Sequence, residues 1–343
     1  MATNKHILVF RFSAMGDVSM AVPVIRALVQ KYPDLKITVV TRGFFKPFFR
    51  GLDNVSIYEA DLKGKHKGIF GLYKLSRELR VLDFDAVADI HNVLRTKILK
   101  FFLNGKIIQI DKGRSEKKAL ISGESFKQLK TTHQRYADVF EKLGFPVNLS
   151  KPSFPSKIEL NEELKKFISN KEIPVIGIAP FAAFKGKMYP IEQMKLVIKH
   201  LSKTNNIILF GGGKLEIEQL NQIESTYKNT KSIAGKLGLS QELDVISNLD
   251  LMLAMDSGNA HMAAMLGVKV ITIWGVTHPF AGFAPFNQPK AFALIADREK
   301  YPKIPTSIYG NKYPKGYENA ASSVSEESIV TKINSILLIN LRV

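Results

Sequence analysis

Along the chain, the spacing of apolar residues switches repeatedly between two regimes. Short continuous apolar runs, rich in Val and Ile, alternate with longer stretches whose apolar residues recur every three or four positions, the signatures of buried strands and of amphipathic helices. "HILVFRF" (6–12) opens the series as a strand. A helix over 17–31 follows, then the strand "LKITVVT" (35–41), a helix around Phe44 to Leu52, "VSIYEA" (55–60), a helix over 68–82, "FDAVADI" (84–90), a helix around Val93 to Phe102, and "KIIQI" (106–110). Strands apolar on both faces, separated by helices, predict a parallel sheet covered on both sides.

A helix over 132–144 ends at Gly144, and "FPVNLSKPSFPSKIEL" (145–160) then loses all helical period to Pro and Ser, which marks a linker. A second alternation begins at "IPVIGIAP" (173–180). It continues with a helix over 190–203, "NNIILFGGG" (205–213), a helix over 214–227, a short strand near 230–234, a helix over 239–247, "LDLMLAMD" (249–256), a helix over 259–266 and "VKVITIWG" (268–275). From Ser323 a Ser-x-x-Glu pattern followed by helically spaced apolar residues predicts a closing helix. The expected organisation is an α/β chain of two doubly wound Rossmann-like domains, 1–155 and 156–320, with a C-terminal helix over 321–343.

Composition narrows the class. The 343 residues, 45% hydrophobic and 23% charged, suit two folded domains and leave no disordered tail. The absence of cysteine excludes disulfides, thiolate metal sites and a cysteine nucleophile. No run approaches the roughly 18 apolar residues of a membrane span, and the first strand is too brief and too charged for a signal peptide, so a cytoplasmic protein is expected. The net charge of +18 is uneven, with 26 Lys and Arg against 14 Asp and Glu in residues 1–150. Such a surface attracts acidic substrates, anionic headgroups or nucleic acid, and equally serves plain solubility.

Three strand-to-helix corners carry candidate chemistry, because open α/β sheets place their ligands at the C-terminal ends of strands. In "RFSAMGDVSM" (11–20), Asp17 stands at the mouth of the first helix, a carboxylate where open sheets put their chemistry or an ordinary helix cap. In "AMDSGNAHMAAMLG" (254–267), Asp256, Ser257 and Gly258 turn into a helix bearing His261 in its first turn, and a helix start lined by small residues offers free N–H groups to a diphosphate. In "IAPFAAFKGKMYP" (178–190), Lys185 and Lys187 supply cations that would neutralise a departing phosphate, unless they are only solvated. "LFGGGKLE" (209–216) has a glycine run without either the GxGxxG or the GxxxxGK[ST] spacing, and so argues for neither NAD nor ATP.

Taken in order, these stretches resemble the heptosyltransferase family of bacterial glycosyltransferases. "ILVFRFSAMGDVSMAVPVIRALVQKYPDLKITVVT" is similar to the family's strand, Ser-x-x-Gly-Asp turn, proline-containing helix and second strand. "IAPFAAFKGKMYP" is similar to its loop with Lys-x-x-Pro, and "DSGNAHMAAMLGVKVITIWGVTHP" to its Asp-Ser-Gly-x-x-His helix, strand and Gly-x-Thr turn. The match runs in register from about residue 6 to about 280. Three departures touch the donor side: Ala182 and Ala183 replace a frequent hydroxyl residue, Lys214 stands near a common acidic position, and Gly275-Val276-Thr277-His278-Pro279 replaces Gly-Pro-Thr-Asp-Pro.

The resemblance implies the two-domain glycosyltransferase B fold, its domains facing a cleft, and inverting transfer of a heptose or related sugar from a nucleotide-sugar, ADP-heptose being the expected donor. It implies no cofactor and no metal. Asp17 would be the catalytic base. Lys185, Lys187, Asp256, Ser257, Gly258, His261 and Thr277 would hold the donor. Ser13, Gly16, Lys63, Lys65 and Arg95, with Lys67, Lys97 and Lys100 nearby, would meet an acidic, lipopolysaccharide-type glycolipid at the inner face of the cytoplasmic membrane. Nucleic acid is not an expected partner. The alternative is a catalytically silent protein that keeps the fold and binds anionic membrane or nucleic acid through its basic face; a nicotinamide-dependent dehydrogenase is disfavoured by the missing GxGxxG.

Overall fold

A computed structural model describes residues 5–168 and 172–340. The chain divides into two compact units, residues 1–112 with 131–154 and residues 113–130 with 155–343.

The first unit follows the predicted alternation: β1 (His6–Phe10), α1 (Met15–Lys31), β2 (Lys36–Thr41), β3 (Val55–Glu59), α2 (Gly68–Arg80), β4 (Ala86–Asp89), α3 (Leu94–Phe101) and β5 (Lys106–Gln109). The strands form one parallel sheet in the order β3-β2-β1-β4-β5, with Ile7 of β1 set between Ile37 of β2 and Ala86 of β4. On one face Leu72, Leu75 and Leu79 of α2 pack with Leu99 of α3 against Leu8, Phe10 and Val87 of the strands. The helix expected around Phe44 to Leu52 is instead a 3₁₀ segment, Gly43–Phe49, since Pro47 in its middle supplies no N–H for an α-helical ladder.

Two helices escaped the sequence pattern, a single turn at Glu162–Lys165 and the longer segment that follows β5. α4 (Arg114–Ser122) lies between Gly113 and Gly123, both at positive φ, and buries only Leu120, so its apolar period is almost absent. Residues 113–130 were expected in the first domain but pack with the second unit. Leu120 and Leu129 join Ala281 in a small core, Leu129 N donates to Phe280 O at 2.9 Å, and Lys117 Nζ lies 4.3 Å from the Phe283 ring centroid. Such long-range packing leaves no local trace in the sequence. α5 (Thr132–Lys142), capped by Thr131, returns to the first unit.

The second unit contains α6 (Glu162–Lys165), β6 (Val175–Ala179), α7 (Ile191–Leu201), β7 (Asn206–Leu209), α8 (Lys214–Thr226), β8 (Thr230–Ser232), α9 (Leu239–Ser247), β9 (Leu251–Met255), α10 (Gly258–Met265), β10 (Lys269–Trp274), β11 (Ala293–Ile295) and α11 (Glu326–Asn340). Its parallel sheet runs β11-β10-β9-β6-β7-β8. β11, three residues at the edge, was too short to read from sequence. α11 packs Ile329, Ile333, Ile336 and Leu337 into the core beside α7. Its cap is Ser325, whose hydroxyl accepts from Ser328 N at 3.2 Å. Ser323, expected to serve there, instead accepts from Asp297 N and donates to Ala320 O. The last three residues of the expected closing segment lie outside the described ones. No helix among the described residues is long and apolar enough to cross a membrane.

Candidate functional site

In the first unit, β1 ends at Phe10 and the chain turns through Ser13 and Ala14 into α1, where Asp17 occupies the first turn. The Asp17 carboxylate is ion-paired with Arg11 and accepts a long hydrogen bond from Ala14 N at 3.4 Å. It therefore does cap the helix, yet its side chain keeps 29% exposure while Arg11 is buried. Arg11 is fixed on two further sides: Nη1 donates to Ile90 O at 2.9 Å, and the guanidinium lies 5.8 Å from the Tyr136 ring centroid. Tyr136 OH in turn donates to Asp17 O at 3.3 Å. A carboxylate so oriented, with one side open to water, can receive a proton without changing its rotamer.

The loop after β4 adds a group the sequence reading missed. His91 is buried, its Nδ1 accepting from Phe12 N at 3.5 Å, and burial together with the positive charges of Arg11, Lys112 and Arg95 pushes its pKa down to about 3. The ring is neutral, with Nε2 carrying the proton. Asp89, fully buried at the end of β4, accepts from His91 N and Asn92 N and pairs with Lys100 Nζ at 2.7 Å. Lys100 also donates to Gln109. This corrects the expectation that Lys100 meets an acceptor: it neutralises a buried carboxylate.

Ser13, Lys63, Lys65 and Arg95 line one cavity of about 610 Å³, together with Phe12, Arg42, Phe44, Glu59 and Asp61. The basic loop at 63–67 is ordered by its neighbours. The Asp61 carboxylate accepts from Gly64 N and Lys65 N, which holds its pKa below the usual range. His66 is fully buried, bridging Asp61 N and Glu78. Gly71 of α2 permits this, since a Cβ there would stand 2.3 Å from the carbonyl carbon of His66. Lys65 spends part of its charge on Glu78, at 3.3 Å. Lys63 and Arg95 have no acidic partner among the described residues. Gly16, Lys67, Lys97 and Lys100 do not line the cavity. Arg42 does, and its place directly after β2 is the signal that would have found it.

In the second unit three of the expected residues come together. Lys187 Nζ stands 2.9 Å from Asp256 Oδ2, and Thr277 Oγ1 donates to the same oxygen at 2.9 Å. The contact depends on close backbone approach: Val276 N donates to Gly186 O at 2.9 Å, and a Cβ on Gly275 would fall 2.2 Å from that oxygen. Next in the chain, Ser257 is the N-cap of α10 but makes no cap bond, and its buried Oγ has no partner among the described residues. The first N–H groups of α10, beginning at Gly258, thus remain uncapped by a side chain, with His261 buried in the same turn. An uncapped helix start beside a lysine suits a diphosphate.

Lys185 is separate from this group. It lines a hollow of about 590 Å³ with Phe181, Ala182, Tyr189, Lys214 and Glu216, at the ends of β6 and β7. The glycine run after β7 is not an open phosphate loop, because Glu216 Oε2 accepts from Gly212 N at 2.8 Å and from Gly213 N at 3.4 Å. His278, where aspartate is common in the family's motif, caps the next 3₁₀ turn: its Nδ1 accepts from Phe280 N at 3.1 Å. Burial and the nearby Arg298 hold its pKa down at about 4, so a neutral imidazole does the work of a carboxylate acceptor. Among the described residues no cluster of three or more His, Asp or Glu is placed to hold a metal ion.

The model of glycosyltransferase family 9 (heptosyltransferase) matches residues 72–311. Lipooligosaccharide heptosyltransferase 2 of Haemophilus influenzae is 27% identical over 354 residues, covering 97% of this chain and 99% of the relative. A glycosyl transferase of family 9 from Veillonella parvula superposes with a TM-score of 0.77 at 22% identity, over 98% of both chains. The E. coli heptosyltransferase WaaC, solved with ADP-2-deoxy-2-fluoro heptose, gives a TM-score of 0.68 at 17% identity, over 96% of this chain and 99% of that one. These likenesses establish the glycosyltransferase B fold.

Proposed function

This chain belongs to glycosyltransferase family 9, the heptosyltransferases, and on that premise we propose that it moves a heptose from ADP-heptose to an acidic, lipopolysaccharide-type glycolipid, with inversion at the anomeric carbon. It is a glycosyltransferase. The observation that carries the finer reading is the family match over residues 72–311, supported by the names of relatives that span nearly the whole chain. The comparisons lend no support to a catalytically silent binding protein.

In this reading the first unit binds the acceptor. Asp17 takes the proton from the attacking hydroxyl, and the paired Arg11 keeps the carboxylate aimed while the charge it carries changes. Lys63, Lys65, Arg95 and Arg42 meet the acceptor's acidic groups in the cavity they line. The second unit binds the donor. Its diphosphate takes the start of α10 with Ser257, Gly258 and His261, and Lys187 moves from Asp256 toward the phosphates, stabilising the charge that grows on the leaving ADP. Asp256 and Thr277 then hold a donor hydroxyl. Because the acceptor is lipid-anchored, the enzyme works as a cytoplasmic protein peripheral to the inner membrane face.

The test is a donor screen. Purified protein is incubated with an acidic, lipopolysaccharide-type glycolipid acceptor and ADP-heptose, or with UDP- and GDP-hexoses in its place, and the acceptor is weighed by mass spectrometry. The expected result is addition of one heptose with ADP-heptose alone. Equal or preferred transfer from a UDP- or GDP-sugar would overturn the donor assignment.

A further inference from the structure

We propose that the solvent face formed by α2 and α3 is a membrane-insertion surface for an anionic bilayer, with Phe70 and Phe101 entering the interface. Phe70 is 91% exposed and Phe101 84%, and Leu94 and Ile69 are also largely open to solvent. Single exposed apolar residues are ordinary, whereas a contiguous set marks a contact surface. Phe101 is tied to α2 by a run of ring contacts. The ring centroid of Tyr73 lies 5.3 Å from that of Phe102, which lies 5.5 Å from that of Phe101, and Arg80 of α2 donates to Phe102 O at 2.7 Å. Phe70 stands one turn before Tyr73 and opposite the buried Leu72, Leu75 and Leu79, with Ile69 at the flank of that exposed face.

The charges on that face select the partner. Lys67, Lys74, Arg77, Arg80, Arg95 and Lys97 flank the apolar residues, while the one acidic side chain of α2, Glu78, is engaged by Lys65 and His66. Apolar residues ringed by cations fit the headgroup boundary of an anionic membrane, where burial and electrostatic attraction add. A second copy of the same face would bring like charges together, which disfavours self-association. The surface also has a use: Lys63, Lys65 and Arg95, which line the proposed acceptor cavity, lie at the starts of these two helices. This inference rests on the proposal of a lipid-anchored acceptor, which such a surface would meet in the membrane.

The experiment is partition of the full chain onto phosphatidylglycerol and phosphatidylcholine vesicles at low and high salt. Phe70→Ser/Phe101→Ser is expected to lose about tenfold or more in partition to phosphatidylglycerol, with the salt dependence unchanged, as the loss of buried aromatic area implies. Lys74→Gln/Arg77→Gln/Lys97→Gln is expected to flatten the salt dependence instead. Trp274 is the sole tryptophan and is buried in the second unit, so Phe70→Trp gives a direct probe, expected to shift to the blue and to be quenched by brominated phosphatidylglycerol. The proposal is overturned if the serine variant partitions like the parent, if vesicles leave the emission of the Phe70→Trp variant unmoved, or if sedimentation shows a parental dimer that the serine variant dissolves. Transfer to a deacylated, water-soluble acceptor should stay within a factor of about two in the serine variant. Its absence in the parent protein would count against the proposed activity and leave the vesicle result standing.

Discussion

Arg11 and Asp17 form an ion pair across the turn that joins the first strand to the first helix, and Arg11 alone of the two is buried. The arginine is the more constrained partner, held also by Ile90 O and the Tyr136 ring. Arg11→Met should therefore cost both stability and rate. It leaves a buried carbonyl and a half-buried carboxylate without their donor, a loss of about 1–3 kcal/mol, and it frees the Asp17 rotamer. Urea unfolding and the turnover number measured on the same preparation check this. A variant with parental stability and parental kcat would show that the pair positions nothing.

Lys187, Asp256 and Thr277 meet at one oxygen, so their substitutions should not be equivalent. Lys187→Ala removes a charge-assisted contact to phosphate and should weaken ADP binding by about tenfold to a hundredfold. Thr277→Val removes a hydroxyl that donates to Asp256 and leaves the cation for the phosphates in place, so it should weaken ADP binding less. His261→Ala should also act on ADP and leave the acceptor KM unchanged. Calorimetric titration with ADP is the check, and unchanged affinity in both Lys187→Ala and His261→Ala would remove the donor from this unit.

Lys100 was expected at the acceptor and is found on buried Asp89. Its loss leaves a buried carboxylate uncompensated, which costs about 3–5 kcal/mol. Lys100→Ala should thus lower the unfolding midpoint strongly with little change in acceptor KM for the folded fraction, whereas Lys63→Ala should do the reverse. Parallel melting curves and acceptor titrations separate the two outcomes.

The two depressed histidines give stability a pH dependence of definite sign. His91 and His278 titrate at about 3 and about 4 in the folded chain against 6.5 ordinarily. Between those values the unfolded chain binds protons that the folded chain refuses, so stability is full above pH 6.5 and falls as pH drops, by up to about 1.4 kcal/mol per pH unit for each ring. His91→Asn and His278→Asn keep an acceptor without titrating, and each should flatten the decline. A parental protein equally stable at neutral and mildly acid pH would contradict this.

Much of the architecture was legible because the apolar runs of β1, β2, β6 and β9 are buried on both faces and leave no ambiguity of period. α4 and β11 were not, one nearly without an apolar stripe and the other three residues long. Among the site residues, Lys187, Asp256 and Thr277 were read together from their motifs, and the structure brings them to one atom. Arg11, the charge within the first apolar run "HILVFRF", carries no role in the sequence pattern. A charge in a buried run needs a partner, and the nearest acid in sequence, Asp17, is the one it has. The ordering of the basic loop by Asp61 and His66 was hidden because Glu78, its third member, lies a full helical segment away.

The single-turnover rate of heptose transfer by Asp17→Asn, taken beside its ADP affinity and unfolding midpoint, bears most directly on the proposed chemistry. Asparagine keeps the shape and an acceptor oxygen for Arg11 but cannot take the proton. The expected result is a rate lower by about 10²- to 10⁴-fold, with ADP binding unchanged and the chain folded. Transfer within a few-fold of the parent would contradict a catalytic Asp17 and leave it the cap of the first helix.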